Sequence, residues 1–198
     1  MQKSISYIFH PIFMPLIGVL FYFSKSPRFI PLPLVQSKLV PIIILTLILP
    51  ILVNVLLKAI GKVESIELKT TEERIIPLIV YCIILLIVIK RIITPFEFIE
   101  LYYFFLGVFG STLASIVLNM LNFKVSIHML AISGILMFFI GLSVHFGINI
   151  LGSIALVFLI MGAVATSRLS LKAHNANEVF MGCLIGIAPQ LMLIPRWL

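Results

Sequence analysis

The chain has 198 residues, 62% of them hydrophobic and 11% charged, with a mean hydropathy of +1.25. A water-soluble domain needs a polar shell, usually with about 25% charged residues, so this composition excludes a soluble globular protein and a disordered chain. Its continuous apolar runs also argue against an outer-membrane barrel, whose strands alternate apolar and polar residues.

What remains is an all-α fold, a polytopic helical membrane bundle forming one domain over residues 1–198. Fourteen Lys and Arg stand against seven acidic residues, all Glu, for a net charge of +7. In a membrane chain such basic residues flank spans and face anionic headgroups. No basic, aromatic-interleaved soluble segment supports nucleic-acid binding.

Taken in chain order, the uncharged runs predict the spans. Ser4 to Ser24 is the first; Lys3 precedes it, His10, Pro11 and Pro15 interrupt it, and no small-residue cleavage site follows. It therefore reads as a retained span rather than a signal peptide, kinked by its prolines. Lys25 to Lys38, with Pro27, Pro31 and Pro33, is expected to be an extended connector. Leu39 to Leu57 is the second run, and Lys58 to Arg74 the longest polar segment. Ile75 to Ile89 is the third, lengthened by Lys90 and Arg91, which can snorkel. Leu101 to Phe123 is the fourth.

Val125 to Ser167 carries no charge and is too long for one crossing at about 1.5 Å rise per residue. It is expected to turn near His145–Asn149, around Gly147. Val179 to Pro195 is the last run. Seven apolar segments result, and six or seven crossings are expected. Cys82 and Cys183 lie inside apolar runs and read as small core hydrophobes, with neither metal-ligand nor disulfide spacing.

Three polar stretches stand out: Leu68 to Pro77, Lys124 to His128, and Ser167 to Glu178. Two apolar segments separate the first from the second, and two more separate the second from the third. An even number of crossings returns the chain to the same face. All three stretches are therefore expected on one side of the membrane.

Gathered there are the cations Lys69, Arg74, Lys124 and Arg168, the hydroxyls of Ser126 and Ser167, and His128, His174 and Glu178. Cations with hydroxyls suit a phosphate: Arg offers a planar fork, Lys a point charge. Two histidines allow one to attack phosphorus while the other protonates the leaving oxygen. His174 and Glu178 are four apart and would share a face if that stretch were helical.

At these residues the chain resembles the type 2 phosphatidic acid phosphatases, related in fold to the vanadium-dependent haloperoxidases. That family's third motif is Ser-Arg, five residues, His, three residues, Asp; Ser167-Arg168, His174 and Glu178 match it with Glu for Asp. Its second motif is Pro-Ser-Gly-His, against Val125-Ser126-Ile127-His128 here. Its first is Lys, six residues, Arg-Pro; Lys69 and Arg74 are closer together, with Pro77 three positions after Arg74. The resemblance spans about Lys69 to Ile187.

It implies a bundle of about six spans and phosphoester hydrolysis without a metal or other cofactor. By the same resemblance His174 would be the nucleophile, Glu178 its orienting carboxylate and His128 the general acid. Lys69, Arg74, Ser126 and Arg168 would hold phosphate oxygens, with Lys124 able to replace Lys69. Glu178 is one methylene longer than Asp, and Ile127 removes the backbone permissiveness of Gly.

Other polar residues have plainer readings. Lys172 reads as a snorkelling cation, and Glu72 and Glu73 as acids at a positive helix start. His10 reads as structural and His145, at the expected turn, as without a role. Asn54 and Asn119 read as interhelical hydrogen-bonding groups, and Gly107, Gly110, Ser111 and Ala114 as a helix-packing stripe.

The expected partners are the bilayer and a lipid phosphate or isoprenyl pyrophosphate, since the site would sit level with the headgroups. The family reading favours a bacterial cytoplasmic membrane with the site on its extracytoplasmic face. Two other readings use the same residues. One is a catalytically weak or inactive phosphatase-like protein that binds a lipid phosphate. The other is a phosphotransferase.

Overall fold

The structure, a computed structural model, describes residues 2–63, 68 and 70–198. It is all helical: α1 (Gln2–Ile8), α2 (Met14–Lys25), α3 (Leu32–Ile43), α4 (Leu49–Ala59), α5 (Thr71–Ile87), α6 (Ile99–Met120), α7 (Ile127–Phe146), α8 (Leu151–Ser170) and α9 (Ala176–Leu193). No strand occurs among the described residues. Seven helical stretches are long and apolar enough to cross a membrane, from Gln2–Lys25 to Ala176–Arg196. The protein is thus an all-helical polytopic membrane bundle with seven candidate crossings among the described residues.

The first stretch is broken where the sequence predicts a kink. His10 precedes Pro11 and is extended (φ −66°, ψ 137°), as a residue before proline must be. A single tight turn, Pro11–Phe13, then restarts the chain into α2. The second stretch differs from expectation. Its helix begins at Leu32 rather than Leu39, because Pro33 sits in the first turn, where its missing N–H costs nothing. The extended connector is only the short piece before it. Pro41 lies inside this helix, and the next turn is widened over Ile44–Ile48 before α4 continues. The wide turn runs directly into Pro50, in the first turn of α4, where the missing N–H costs nothing.

α5 starts with a reciprocal cap. The Thr70 hydroxyl accepts from Glu73 N, and the Glu73 carboxylate accepts from Thr70 N, both at 3.3 Å. α7 ends at Gly147, whose left-handed φ of 60° suits glycine, and α8 follows after four residues.

Lipid tails are as apolar as Leu, so packing rather than water exclusion holds such a bundle together. α7 is its centre and packs most closely on α9. The two backbones approach through Gly182 and Gly186: a Cβ on Gly182 would overlap the Ser126 carbonyl, and one on Gly186 the Leu130 carbonyl and Ser133 hydroxyl. The small-residue stripe of α6 also meets α9, with Gly107 against Gln190 and Gly110 against Pro189. Asn119 differs from expectation, since its Nδ2 donates within its own helix to the Ser115 carbonyl at 2.7 Å. The main aromatic core lies towards the other end of α7, where Phe104 stacks on Phe138 at 4.3 Å and Phe21 on Phe139 at 3.6 Å.

Candidate functional site

The three polar stretches meet at one end of the bundle. Arg74, in the first turn of α5, donates from Nη1 to the Val125 carbonyl (2.8 Å) and from Nε to the Leu68 carbonyl (2.9 Å). Lys124 Nζ donates to the Ala173 carbonyl at 3.3 Å, and Ser126 N to the Glu178 carbonyl at 3.1 Å. The bond to Leu68 braces Arg74 within its own stretch, and the other three each tie one stretch to another. Gly182, one turn beyond Glu178, provides the clearance that lets α9 start so close to Ser126.

His174 is buried beside this junction. Its Nδ1 lies 2.8 Å from Glu178 Oε2 and 3.1 Å from the Lys124 carbonyl oxygen. Both partners accept, so Nδ1 carries the hydrogen and Nε2 keeps its lone pair. The contact does not arise from a shared helix face, as the spacing suggested. His174 precedes α9 and is not helical. Asn175 is the N-cap, its side chain accepting from Glu178 N at 2.9 Å, while Glu178 Oε2 accepts from Asn175 N at 3.1 Å. One carboxylate oxygen thus closes the cap and holds the imidazole. The extra methylene of Glu serves that reach, because a capping box uses Glu or Gln at its third helical position.

The electrostatics are lopsided. Burial, then the Arg74 charge, hold His174 well below the ordinary histidine value, at about 4, although Glu178 pulls the other way. Burial lowers Lys124 too, with Arg74 and Arg168 repelling it and Glu178 attracting it. His174 is therefore neutral at pH 7, in the field of Arg74 and Arg168, which also repel Lys124, while Glu178 and Glu73 oppose that repulsion. A bound anion would relieve that field.

Ser126 is the N-cap of α7, yet its hydroxyl makes no capping bond. The residue is 0% exposed, and its Oγ has no hydrogen-bond partner among the described residues. A buried hydroxyl without a partner costs free energy, and such a group at a site marks where a ligand atom would fit.

His128, in the first turn of α7, reaches the N-terminal helix: Nε2 donates to the Ser6 carbonyl at 3.2 Å. Arg168 Nη1 donates to Ser6 Oγ at 3.4 Å, and Ser6 and Ser167 hydroxyls are 2.9 Å apart. His10 lies edge-on to His128 at 5.4 Å between ring centres, and its Nδ1 accepts from Ile12 N. Arg74, Lys124, Ser126, His128, Arg168, His174 and Glu178 are thus brought together. Lys69 lies outside the described residues. Ser6 escapes sequence reasoning, since a lone serine in an apolar run carries no signal.

An apolar groove of about 230 Å³ lies between α2, α7 and α8, lined by Phe9, Met14, Phe21, Ile132, Phe139 and Leu156 among others. Phe9 adjoins His10, and Ile132 is one turn from His128.

At the opposite end a second polar cluster is sealed. Glu100 is 0% exposed; it pairs with Arg28 at 2.7 Å, accepts from the Tyr22 hydroxyl at 3.0 Å and lies 3.0 Å from His145 Nε2. His145, read from the sequence as without a role, is therefore part of an ion-pair cluster. Beside it, Lys38 Nζ donates to Glu97 at 2.7 Å and thereby lowers that carboxyl below its ordinary value.

No family model, curated protein or solved structure matches the chain.

Proposed function

We propose that this chain is an integral membrane phosphatase that hydrolyses a lipid phosphate or pyrophosphate through a phosphohistidine at His174. The observation that carries the reading is the neutral His174, held at Nδ1 by Glu178 and the Lys124 carbonyl, with Arg74, Lys124 and Arg168 gathered around it.

In this mechanism Nε2 of His174 attacks phosphorus. The N–P bond forms as the bond from phosphorus to the leaving oxygen breaks, and Nδ1 of His128 relays a proton from the phosphate monoanion to that oxygen. Glu178 stabilises the positive charge that develops on His174. The cations and the Ser126 hydroxyl carry the phosphoryl oxygens. Water then attacks the phosphohistidine and gives a proton to Nδ1 of His128, the N–P bond breaks, inorganic phosphate leaves with that proton and both histidines are regenerated.

The groove that Ile132 lines, one turn along α7 from His128, would take an apolar chain, which favours a lipid over a soluble ester. We place the site on the extracytoplasmic face of a bacterial cytoplasmic membrane. Once Arg74, Lys124 and Arg168 are assigned to the ligand, the remaining positive flanks no longer favour the site end as cytoplasmic.

The test is phosphate release from a panel of lipid phosphates and pyrophosphates by the detergent-purified protein, without added metal, beside His174→Ala. Release by the wild type and none by the variant supports the reading. No release, with lipid phosphate still bound, would replace it by the non-hydrolytic binding reading. Release only with an added alcohol acceptor would make the protein a transferase.

A further inference from the structure

α1 is an unusual helix for a membrane chain. Tyr7 and Ile8 are exposed, and the one residue it buries is Ser6. Ile5 packs on the apolar cluster of Met129, Ile132, Val164 and Val179, while the Ser6 hydroxyl beside it is turned inward to Ser167 and Arg168 of the site.

The hydrogen-bond directions follow from the partners. Ser167 Oγ is 2.7 Å from the Gln2 carbonyl, which can only accept, so the Ser167 hydroxyl donates to it. The Ser6 hydroxyl must then donate to Ser167 Oγ at 2.9 Å, and Ser6 Oγ accepts from Arg168 Nη1. The row runs from guanidinium to Ser6 to Ser167 and back to the α1 backbone. Each member has a defined donor and acceptor. A few atoms away, the Ser6 carbonyl takes the Nε2 hydrogen of His128.

We infer that Ser6 is a positioning residue of this site: its hydroxyl aims the Arg168 guanidinium and its carbonyl fixes the His128 ring with hydrogen on Nε2. Glu178 and the Lys124 carbonyl hold one nitrogen of His174 in the same manner. Each histidine is thus held at one nitrogen and offers the other: Nε2 of His174, Nδ1 of His128. The N-terminal helix is then a working wall of the site rather than an anchor. The inference rests on the phosphate reading above, but its test has readouts that do not require turnover.

The experiment compares full-length wild type with Ser6→Ala and Ser6→Thr. The readouts are inorganic-phosphate affinity in detergent and the ¹⁵N spectra of ring-labelled histidines, with His128 assigned by its absence in His128→Gln. Wild type is expected to bind phosphate and to show His128 as the Nε2–H tautomer. Ser6→Ala, which keeps the carbonyl, should retain that tautomer and weaken phosphate binding about tenfold. Ser6→Thr should restore the affinity. Unchanged affinity in Ser6→Ala, an Nδ1–H tautomer in the wild type, or no phosphate binding at all would each overturn the inference. Ser6-dependent phosphate binding without lipid hydrolysis would sink the phosphatase and leave Ser6 in place. Lipid hydrolysis with Ser6→Ala equal to wild type in rate and affinity would do the reverse.

Discussion

The two ends of the bundle solve the same problem in opposite ways. Each brings a histidine, an arginine and a glutamate together at the edge of an apolar bundle. At the Glu100 end every strong partner is used: the carboxylate is fully enclosed by Arg28, Tyr22 and His145. At the His174 end Arg74, Lys124 and Arg168 repel one another around Glu178 and Glu73, and the buried Ser126 hydroxyl has no partner among the described residues. A satisfied polar network specifies a structure. An unsatisfied one is tolerated where a ligand completes it. The same residue types therefore form a closed clasp at one end and, in the function proposed above, a receptor at the other.

Breaking each end in turn tests that contrast. The largest effect is expected for His174→Ala: phosphate release falls about 10³-fold or more while the unfolding midpoint in detergent moves little. Next is Glu178→Asp, which shortens the arm between cap and imidazole. Displacing the nucleophile by roughly 1 Å is expected to cost about 10²-fold in kcat/KM. A rate equal to wild type would show that orientation does not depend on this reach.

Glu100→Gln attacks the other end. It removes a charge that Arg28 and His145 both face, and should lower stability by about 1–3 kcal/mol with phosphate release per folded molecule unchanged. Lost activity without lost stability would make the clasp part of the site.

Ser126→Ala should do the opposite, lowering release about tenfold while leaving the unfolding midpoint equal or higher, because no bond is lost. The smallest effect is on pH. His174 titrates at about 4 in the folded protein and at about 6.5 when unfolded, so the unfolded chain binds more protons between those values. Stability therefore rises with pH across that window and falls as pH drops through it. The slope should be shallower in His174→Gln. The acid limb that His174 imposes on kcat/KM should lie near pH 4.

The spans were legible because hydropathy is a local property, and crossing parity then placed three distant stretches at one end without any contact being known. The start at Leu32 was not, since proline density reads as a connector until Pro33 is recognised as a first-turn residue. The clasp was invisible for a different reason. Arg28 and His145 lie 72 and 45 residues from Glu100, at span ends where charges ordinarily face headgroups. Asn175 and Glu178 did carry a helix-start pattern, Asn-x-x-Glu. The four-residue spacing from His174 drew attention to a shared face instead. Ser6 had no signal at all, because its partners come from helices more than 100 residues away.

The cap at Glu178 has a kinetic consequence. The oxygen that closes the first turn of α9 is also the one that holds His174, so fraying of that turn and loss of the aligned imidazole are a single opening event. Amide hydrogen exchange at Asn175 would time it. Its protection factor would report the fraction of molecules in which the imidazole is held, without any substrate present.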